Sequence, residues 1–382
     1  MASSSFKRIL CVVGARPNFM KIAPIMRALN AADSEIAASL LHTGQHYDDA
    51  MKRSFFDQLD IPQPDIDLGV GSGSHAVQTA EIMLRFEPVL DDLRPDAVLV
   101  VGDVNSTIAC ALVAVKKGIP IVHVEAGLRS GDRSMPEEIN RILTDQLSDM
   151  LFTTERSAHA NLHAEGIHES RVHFVGNVMI DTLRHNLDKA PAAEQTLSGV
   201  LAGDIGDYGL LTLHRPSNVD DPKVLQALLN VLCEIGNTLP LVFPMHPRTQ
   251  ARIKDAGLED LVAASRIFTM PPQGYLEMLG MMKDARVVLT DSGGIQEETT
   301  ALGVPCLTLR ENTERPITVT EGTNTVVGTK PEDIMASFNK VMETGGKAGR
   351  VPEYWDGKAA NRITGILHDW LYGYRADSDS AA

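Results

Sequence analysis

The stretch Val287-Val288-Leu289-Thr290-Asp291-Ser292-Gly293-Gly294-Ile295-Gln296-Glu297-Glu298 runs from an apolar strand-like segment through a turn of small residues into a helix-like segment. A strand delivered straight into a helix is the unit from which parallel sheets are wound. The turn is chemically pointed as well. Its glycines permit close backbone approach, and a helix start there presents free N–H groups and a partial positive charge of about half a unit, which suits a diphosphate. Ser292 and acids in the first turn could instead simply cap the helix. A carboxylate one turn deeper, Glu298, is placed to accept from both ribose hydroxyls, and this favours a nucleotide.

The same signal recurs at Ile9–Gly14, Ala97–Gly102, Pro120–Glu125, Leu210–His214 and Leu241–His246, each run followed by helical spacing. The expectation is an α/β chain with parallel sheets covered by helices and ligands gathered beyond the carboxyl ends of the strands. A length of 382 residues is long for one core of ~100–200 residues, so two domains follow. The first series of units ends around Phe174-Val175-Gly176-Asn177, giving domains 1–176 and 177–359, with Asp188–Asp207 helical or loose. Residues 360–376 read as a terminal helix with Ile363, Ile366, Leu367 and Trp370 on one face, suited to packing back on the first domain.

A net charge of -15 disfavours nucleic acid and anionic membranes as partners, so a polyanionic ligand must meet a local basic pocket. No apolar run approaches the ~18 residues of a membrane span, and the chain reads as soluble and cytoplasmic. Cys11, Cys110, Cys233 and Cys306 stand apart in apolar surroundings and read as buried small hydrophobes. His159 and His163 lack a carboxylate frame and read as surface, so no metal site is expected. Neither a G-x-G-x-x-G fingerprint in a strand–helix context nor a P-loop occurs, which disfavours NAD and ATPase chemistry.

Chemistry then concentrates at strand ends. The first unit turns at Gly14-Ala15-Arg16-Pro17-Asn18 into a helix carrying Lys21, so Arg16 and Lys21 offer cations. The second unit turns at Gly102-Asp103-Val104-Asn105-Ser106, with Asn105 or Ser106 expected to cap a helix Thr107–Lys117. Glu125 follows strand Ile121–Val124, and Glu137 and Glu138 open the next helix, where Glu138 and Arg141 could be a solvated i,i+3 pair. Carboxylates gathered in one crevice repel one another and become candidates for proton transfer. His214 and His246 end two later strands, each with an arginine close behind, and suggest a polar active-site wall.

Taken together, Gly14-Ala15-Arg16-Pro17-Asn18 with Lys21, Thr43-Gly44-Gln45-His46-Tyr47, Gly102-Asp103, Glu125-Ala126-Gly127-Leu128-Arg129, Pro136-Glu137-Glu138, His214-Arg215, Asp291–Glu298 and Thr313-Glu314-Arg315-Pro316 resemble the non-hydrolysing UDP-N-acetylglucosamine 2-epimerase family. The resemblance implies two Rossmann-like doubly wound domains facing across a cleft, glycosyltransferase-B-like, a UDP-sugar substrate, no cofactor and a homodimer. It implies catalytic roles for Asp103, Glu125, Glu137 and His214. Arg16, Lys21, His246 and Arg315 would contact substrate or lie near it, Ser292, Gly293 and Gly294 would hold phosphates, and Glu298 the ribose. Gln273 and Met278 would border the uracil. The implied reaction interconverts UDP-GlcNAc and UDP-ManNAc through UDP elimination, a 2-acetamidoglucal and re-addition, supplying surface-polysaccharide precursors.

Two segments depart from many bacterial members: Ile317-Thr318-Val319 stands where they carry Glu-Ala-Val, and Gly69–Thr79 resembles an archaeal-like branch. An allosteric UDP-GlcNAc site is therefore not carried over. The competing readings are a 2-epimerase of a modified UDP-sugar such as a UDP-diacetamido sugar acid, a hydrolysing epimerase, and a UDP-sugar glycosyltransferase on the same fold.

Overall fold

Runs such as Ala97–Val101 and Leu241–Pro244 are buried at every position, which is the signature of strands covered on both faces. The computed structural model describes residues 6–31, 34–44, 58–201 and 206–373, apart from the Arg16 side chain. Gln45, His46 and Tyr47, the Arg16 side chain, residues 202–205 and residues 374–376 of the expected terminal helix lie outside the described residues. The chain forms two compact units, Met1–Thr182 with Glu353–Ala382, and Leu183–Pro352.

In the first unit, β1 (Lys7–Val13), β2 (Ile36–His42), β3 (Ile66–Asp67), β4 (Ala97–Val101), β5 (Ile121–Ala126), β6 (Met150–Thr153) and β7 (Val172–Phe174) form a parallel sheet of order β3-β2-β1-β4-β5-β6-β7. In the second, β8 (Gly209–Thr212), β9 (Leu241–Pro244), β10 (Ile267–Met270), β11 (Val287–Thr290), β12 (Cys306–Thr308) and β13 (Asn324–Val326) form another, of order β10-β9-β8-β11-β12-β13. Each is doubly wound. The order reverses between β1 and β4 and between β8 and β11, and at such switch points the connecting helices leave on opposite faces and open a crevice. Leu10, Val12, Val98 and Val100 anchor a core of the first sheet, and Leu211, Leu229, Phe243, Leu289 and Phe338 one of the second.

Helix Ala359–Tyr372 packs on helix Arg16–Leu29 within the first unit. Asp181 receives its first backbone amides, Ala359 N at 3.1 Å and Ala360 N at 2.7 Å. Burial pushes the Asp181 carboxyl up to about 6 even though both amides favour its charged form. No helix among the described residues is long and apolar enough to cross a membrane.

Several local expectations are corrected. The helix after β4 spans Asn105–Lys116 and starts at Asn105, with Val104 at its cap position and no side-chain cap. Asn105 and Ser106 lie inside it because their side chains have tertiary partners: Asn105 Nδ2 donates to Gln78 Oε1 at 2.8 Å, and the Ser106 and Thr43 hydroxyls lie 2.7 Å apart. Helix Gly293–Leu302 begins at its first glycine, so Glu297 and Glu298 fall in the second turn and none of its acids in the first. Glu125 is part of β5, and Glu138 and Arg141 are buried at 1% and 3% exposure, so they are no solvated pair. Cys233 and His159 are half-buried, whereas Cys11, Cys110 and Cys306 are buried and His163 is exposed.

Candidate active site

At the β1/β4 switch point of the first unit, the chain turns tightly after each strand. Asn18 ties the turns together: its Oδ1 accepts from Gly14 N and Ala15 N, and its Nδ2 donates to Val101 O at 2.9 Å. Lys21, one helical turn on, places Nζ 2.7 Å from Glu125 Oε2, with both side chains buried. A buried charge persists only when paired, and this lysine and glutamate neutralise each other. Gly102, at φ +67°, makes room for the lysine, because a Cβ there would stand 2.8 Å from Lys21 Nζ.

Glu125 itself has φ +72°, a left-handed conformation costing a non-glycine residue on the order of 1–2 kcal/mol. The pairing of β5 with β6 shifts register between Val124 and Ala126, so this strand end is bent at the carboxylate. Strain of this kind persists only where its surroundings over-determine it, and it clusters at sites of chemistry.

Asp103 is half-buried and accepts from Arg141 at 2.5 Å, while its carbonyl accepts from Asn140 Nδ2 at 2.9 Å. Arg141 also binds Glu138, whose carboxylate takes the Ser130 and Gly131 amides. Glu138 is thus an anchor for the loop preceding its helix. Glu137, its neighbour, is half-buried in the first turn of helix Pro136–Leu147. The structure therefore brings Lys21, Glu125, Gly102 and Asp103 together at one strand-end cluster. Arg16 opens helix Arg16–Leu29.

In the second unit the β8/β11 switch point carries His214 and Asp291. Asp291, fully buried, accepts from His214 N at 2.9 Å, Arg215 N at 2.8 Å and Asn218 Nδ2 at 3.2 Å, and its second oxygen lies 2.9 Å from His214 Nδ1. Burial opposes its ionisation, but the imidazole and the amides outweigh burial and hold the carboxyl below its ordinary range. With Nδ1 so engaged, His214 keeps Nε2 for other chemistry, and its side chain is 40% exposed. His246 stands beside it, ring centroids 6.1 Å apart, and caps its own helix by accepting from Arg248 N.

Ser292 precedes helix Gly293–Leu302, and its amide donates to Thr290 Oγ1 at 3.0 Å. The N–H groups of Gly293 and Gly294 lie in the first turn, where an α-helix has no internal acceptor for them. A Cβ on Gly293 would meet Glu314 Oε1 at 2.6 Å, so a larger residue there would displace the Glu314 carboxylate. Glu314 is ringed by Arg310 at 2.9 Å and Arg215 at 3.6 Å, and Arg315 pairs with Glu297 at 2.8 Å. Burial opposes the charge of Glu314, but Arg315, Arg310 and Arg215 hold its carboxyl far below the usual range. The carboxylate that approaches the helix start is thus itself held by guanidinium groups.

Glu298 is buried on the same helix, and burial together with this carboxylate pushes the phenol of Tyr275 well above its ordinary value. Gln273 and Met278 are half-buried on either side of Tyr275, with Gln273 Nε2 donating to Pro271 O at 2.7 Å. Asp291, Tyr275 and Glu314 were not singled out from sequence. Asp291 was signalled by its strand-end position beside the glycines, whereas Tyr275 and Glu314 depend on contacts that no local pattern announces.

Doubly wound parallel sheets with these crevices make the chain an α/β protein of glycosyltransferase-B-like fold. The UDP-N-acetylglucosamine 2-epimerase family profile matches residues 27–368, and the chain belongs to that family. It is 42% identical over 366 residues to the UDP-N-acetylglucosamine 2-epimerase of Methanocaldococcus jannaschii, covering 94% of this chain and 98% of the relative. It is 39% identical to the UDP-2,3-diacetamido-2,3-dideoxy-D-glucuronate 2-epimerase of Pseudomonas aeruginosa, over 94% of this chain and 99% of that one. The crystal structure of the M. jannaschii enzyme in complex with UDP-GlcNAc and UDP superposes with a TM-score of 0.87 at 41% identity, covering 94% and 99% of the two chains.

Proposed function

We propose that the chain interconverts UDP-GlcNAc and UDP-ManNAc by elimination and re-addition of UDP. The observation that carries this reading is the Lys21–Glu125 pair, a buried carboxylate on a strained strand end held beside the Gly102–Asp103 turn. Such a carboxylate is placed to move a proton at carbon. In the forward direction a carboxylate takes the C2 proton as the C1–O bond breaks, the electron pair forming the C1=C2 double bond and the diphosphate leaving with the bonding pair. The reverse adds a proton to the other face of C2 and UDP to C1.

Because a C2 proton is weakly acidic, departure of UDP must be assisted. In this reading the amides of Gly293 and Gly294, the arginines around Glu314, and Arg315 stabilise the leaving diphosphate. Glu298, beside Tyr275, takes the ribose. His214, oriented by Asp291, exchanges a proton near the departing oxygen, Asp103 and Glu137 are the further catalytic carboxylates, and Arg16 and His246 complete the substrate contacts. Cytoplasmic residence and a homodimer belong to the same reading. The exposed Val77 and Leu84 on helix His75–Leu93, with Ile139 and Leu143 on helix Pro136–Leu147, offer apolar surface for self-association.

The P. aeruginosa relative supports a second reading, a 2-epimerase of a diacetamido sugar acid nucleotide. Incubation with UDP-GlcNAc and with UDP-diacetamido sugar acids, resolved by anion-exchange chromatography, separates the two. Conversion of UDP-GlcNAc to UDP-ManNAc at the higher kcat/KM supports the first reading, and conversion of the acids alone sinks it. Free ManNAc would instead reveal hydrolysis.

A further inference from the structure

Behind the candidate carboxylates of the first unit lies a fully buried histidine that the proposed chemistry does not use. His123 sits on β5, two residues before Glu125, with its side chain and that of Asp145 both 0% exposed. Its Nε2 lies 2.9 Å from Gly102 O, and its Nδ1 2.6 Å from Asp145 Oδ1. A carbonyl oxygen only accepts, so Nε2 must carry a hydrogen. At 2.6 Å two bare lone pairs would repel, so a second proton lies between Nδ1 and the carboxylate. The pair therefore holds two protons.

The other carboxylate oxygen shows which partner bears the charge. Asp145 Oδ2 accepts from Gly127 N at 3.0 Å and from Arg129 at 2.7 Å, and Arg129 is in turn bound by Glu165 at 2.6 Å. Donors of this kind favour an ionised carboxylate, which leaves the proton on the ring. His123, Asp145, Arg129 and Glu165 then sum to zero charge, as a buried group requires.

The hydrogen bonds of this cluster end on the two turns that carry the candidate acids. Gly102, at φ +67°, immediately precedes Asp103, and Gly127, at φ +77°, closes the bend that begins with Glu125 at φ +72°. We propose that His123 and Asp145 form a buried imidazolium–carboxylate pair that positions the Asp103 and Glu125 turns for proton transfer at the sugar C2. The inference rests on the function proposed above, and His123 and Asp145 act through these turns as positioning residues.

Two measurements on the full chain test it. Nitrogen-15 NMR of the wild-type protein at pH 8, with His123 assigned through the backbone of Val122 and Val124, should show both ring nitrogens protonated. An isolated imidazole, with an ordinary value of about 6.5, would be largely neutral there. Asp145→Asn should lower kcat about 10- to 100-fold by letting the turns relax, while KM and the UDP dissociation constant stay within about twofold of wild type. A singly protonated His123 overturns the proposal, as does a folded D145N variant with unchanged kcat or with its loss confined to KM. If D145N fails to fold, the wild-type spectrum decides alone. Failure of wild type to turn over UDP-GlcNAc would sink the proposed function and leave that spectrum untouched.

Discussion

The two sheets share one winding, a first strand flanked by the second on one side and the fourth on the other, yet their switch points are furnished differently. The β1/β4 end holds carboxylates paired with cations, Glu125 with Lys21, and Asp103 with Arg141, which Glu138 shares. The β8/β11 end holds a glycine-opened helix start, guanidinium groups around Glu314, and a histidine fixed by Asp291. The first arrangement is suited to moving a proton and the second to receiving an anion. One backbone solution thus hosts two chemistries because the strand-end residues, and not the winding, decide what a crevice does.

If that contrast is right, substitutions of the first-unit carboxylates should reduce turnover, those around the helix start should weaken nucleotide binding, and in the second unit loss of the His214–Asp291 pair should fall on turnover. Glu125→Gln should have the largest effect, lowering the rate of C2 exchange by about 10²–10⁴ with UDP affinity preserved, measured by exchange kinetics and calorimetry. Equal loss of UDP binding would break the contrast. Asp291→Asn leaves His214 without its ionic partner and should lower kcat about 10- to 100-fold. It should also reduce stability at neutral pH. The Asp291 carboxyl is depressed in the fold, so its contribution is present above the ordinary carboxylate value and lost as pH falls through the depressed one. The wild type minus D291N difference in unfolding free energy should therefore shrink in acid.

Tyr275→Phe removes the phenol beside Glu298 and should weaken UDP about 5- to 10-fold, the range expected for one ordinary hydrogen bond, with little change in kcat at saturation. A fall in kcat at unchanged affinity would place Tyr275 with the chemistry instead. The smallest effect belongs to Asp181, whose carboxyl is raised to about 6. Its contribution to folding is greatest below the ordinary value of 3.8 and is lost as pH rises towards 6. Relative to D181N, wild type should lose stability across that interval, read from denaturant midpoints at successive pH values.

Much of this contrast was legible before the fold. Apolar runs ending in glycine or a polar residue located the strand ends, because a strand buried on both faces must be continuously apolar and its polar residues must wait for the exit. The strand-end identities of Gly102, Glu125 and His214 followed directly. What was not legible depended on register and on distant partners. Asn105 and Ser106 look like caps in isolation and lie within the helix because Gln78 and Thr43 engage them. Glu138 and Arg141 look like a solvated pair and are buried because Ser130, Gly131 and Asp103 close over them. His123 meets Asp145 across 22 positions of sequence, a separation that the packing of helix Pro136–Leu147 against β5 sets and no local pattern encodes.

Movement of a proton at C2 of a UDP-sugar is the step on which the proposed function turns. Proton NMR of UDP-GlcNAc with the purified protein in deuterated water, without added metal or NAD, reads that step at the atom concerned. The expected result is growth of UDP-ManNAc anomeric signals with deuterium replacing hydrogen at C2 of the product. UDP-ManNAc that forms with its C2 hydrogen fully retained, or a spectrum that stays unchanged while UDP binds tightly, would contradict it.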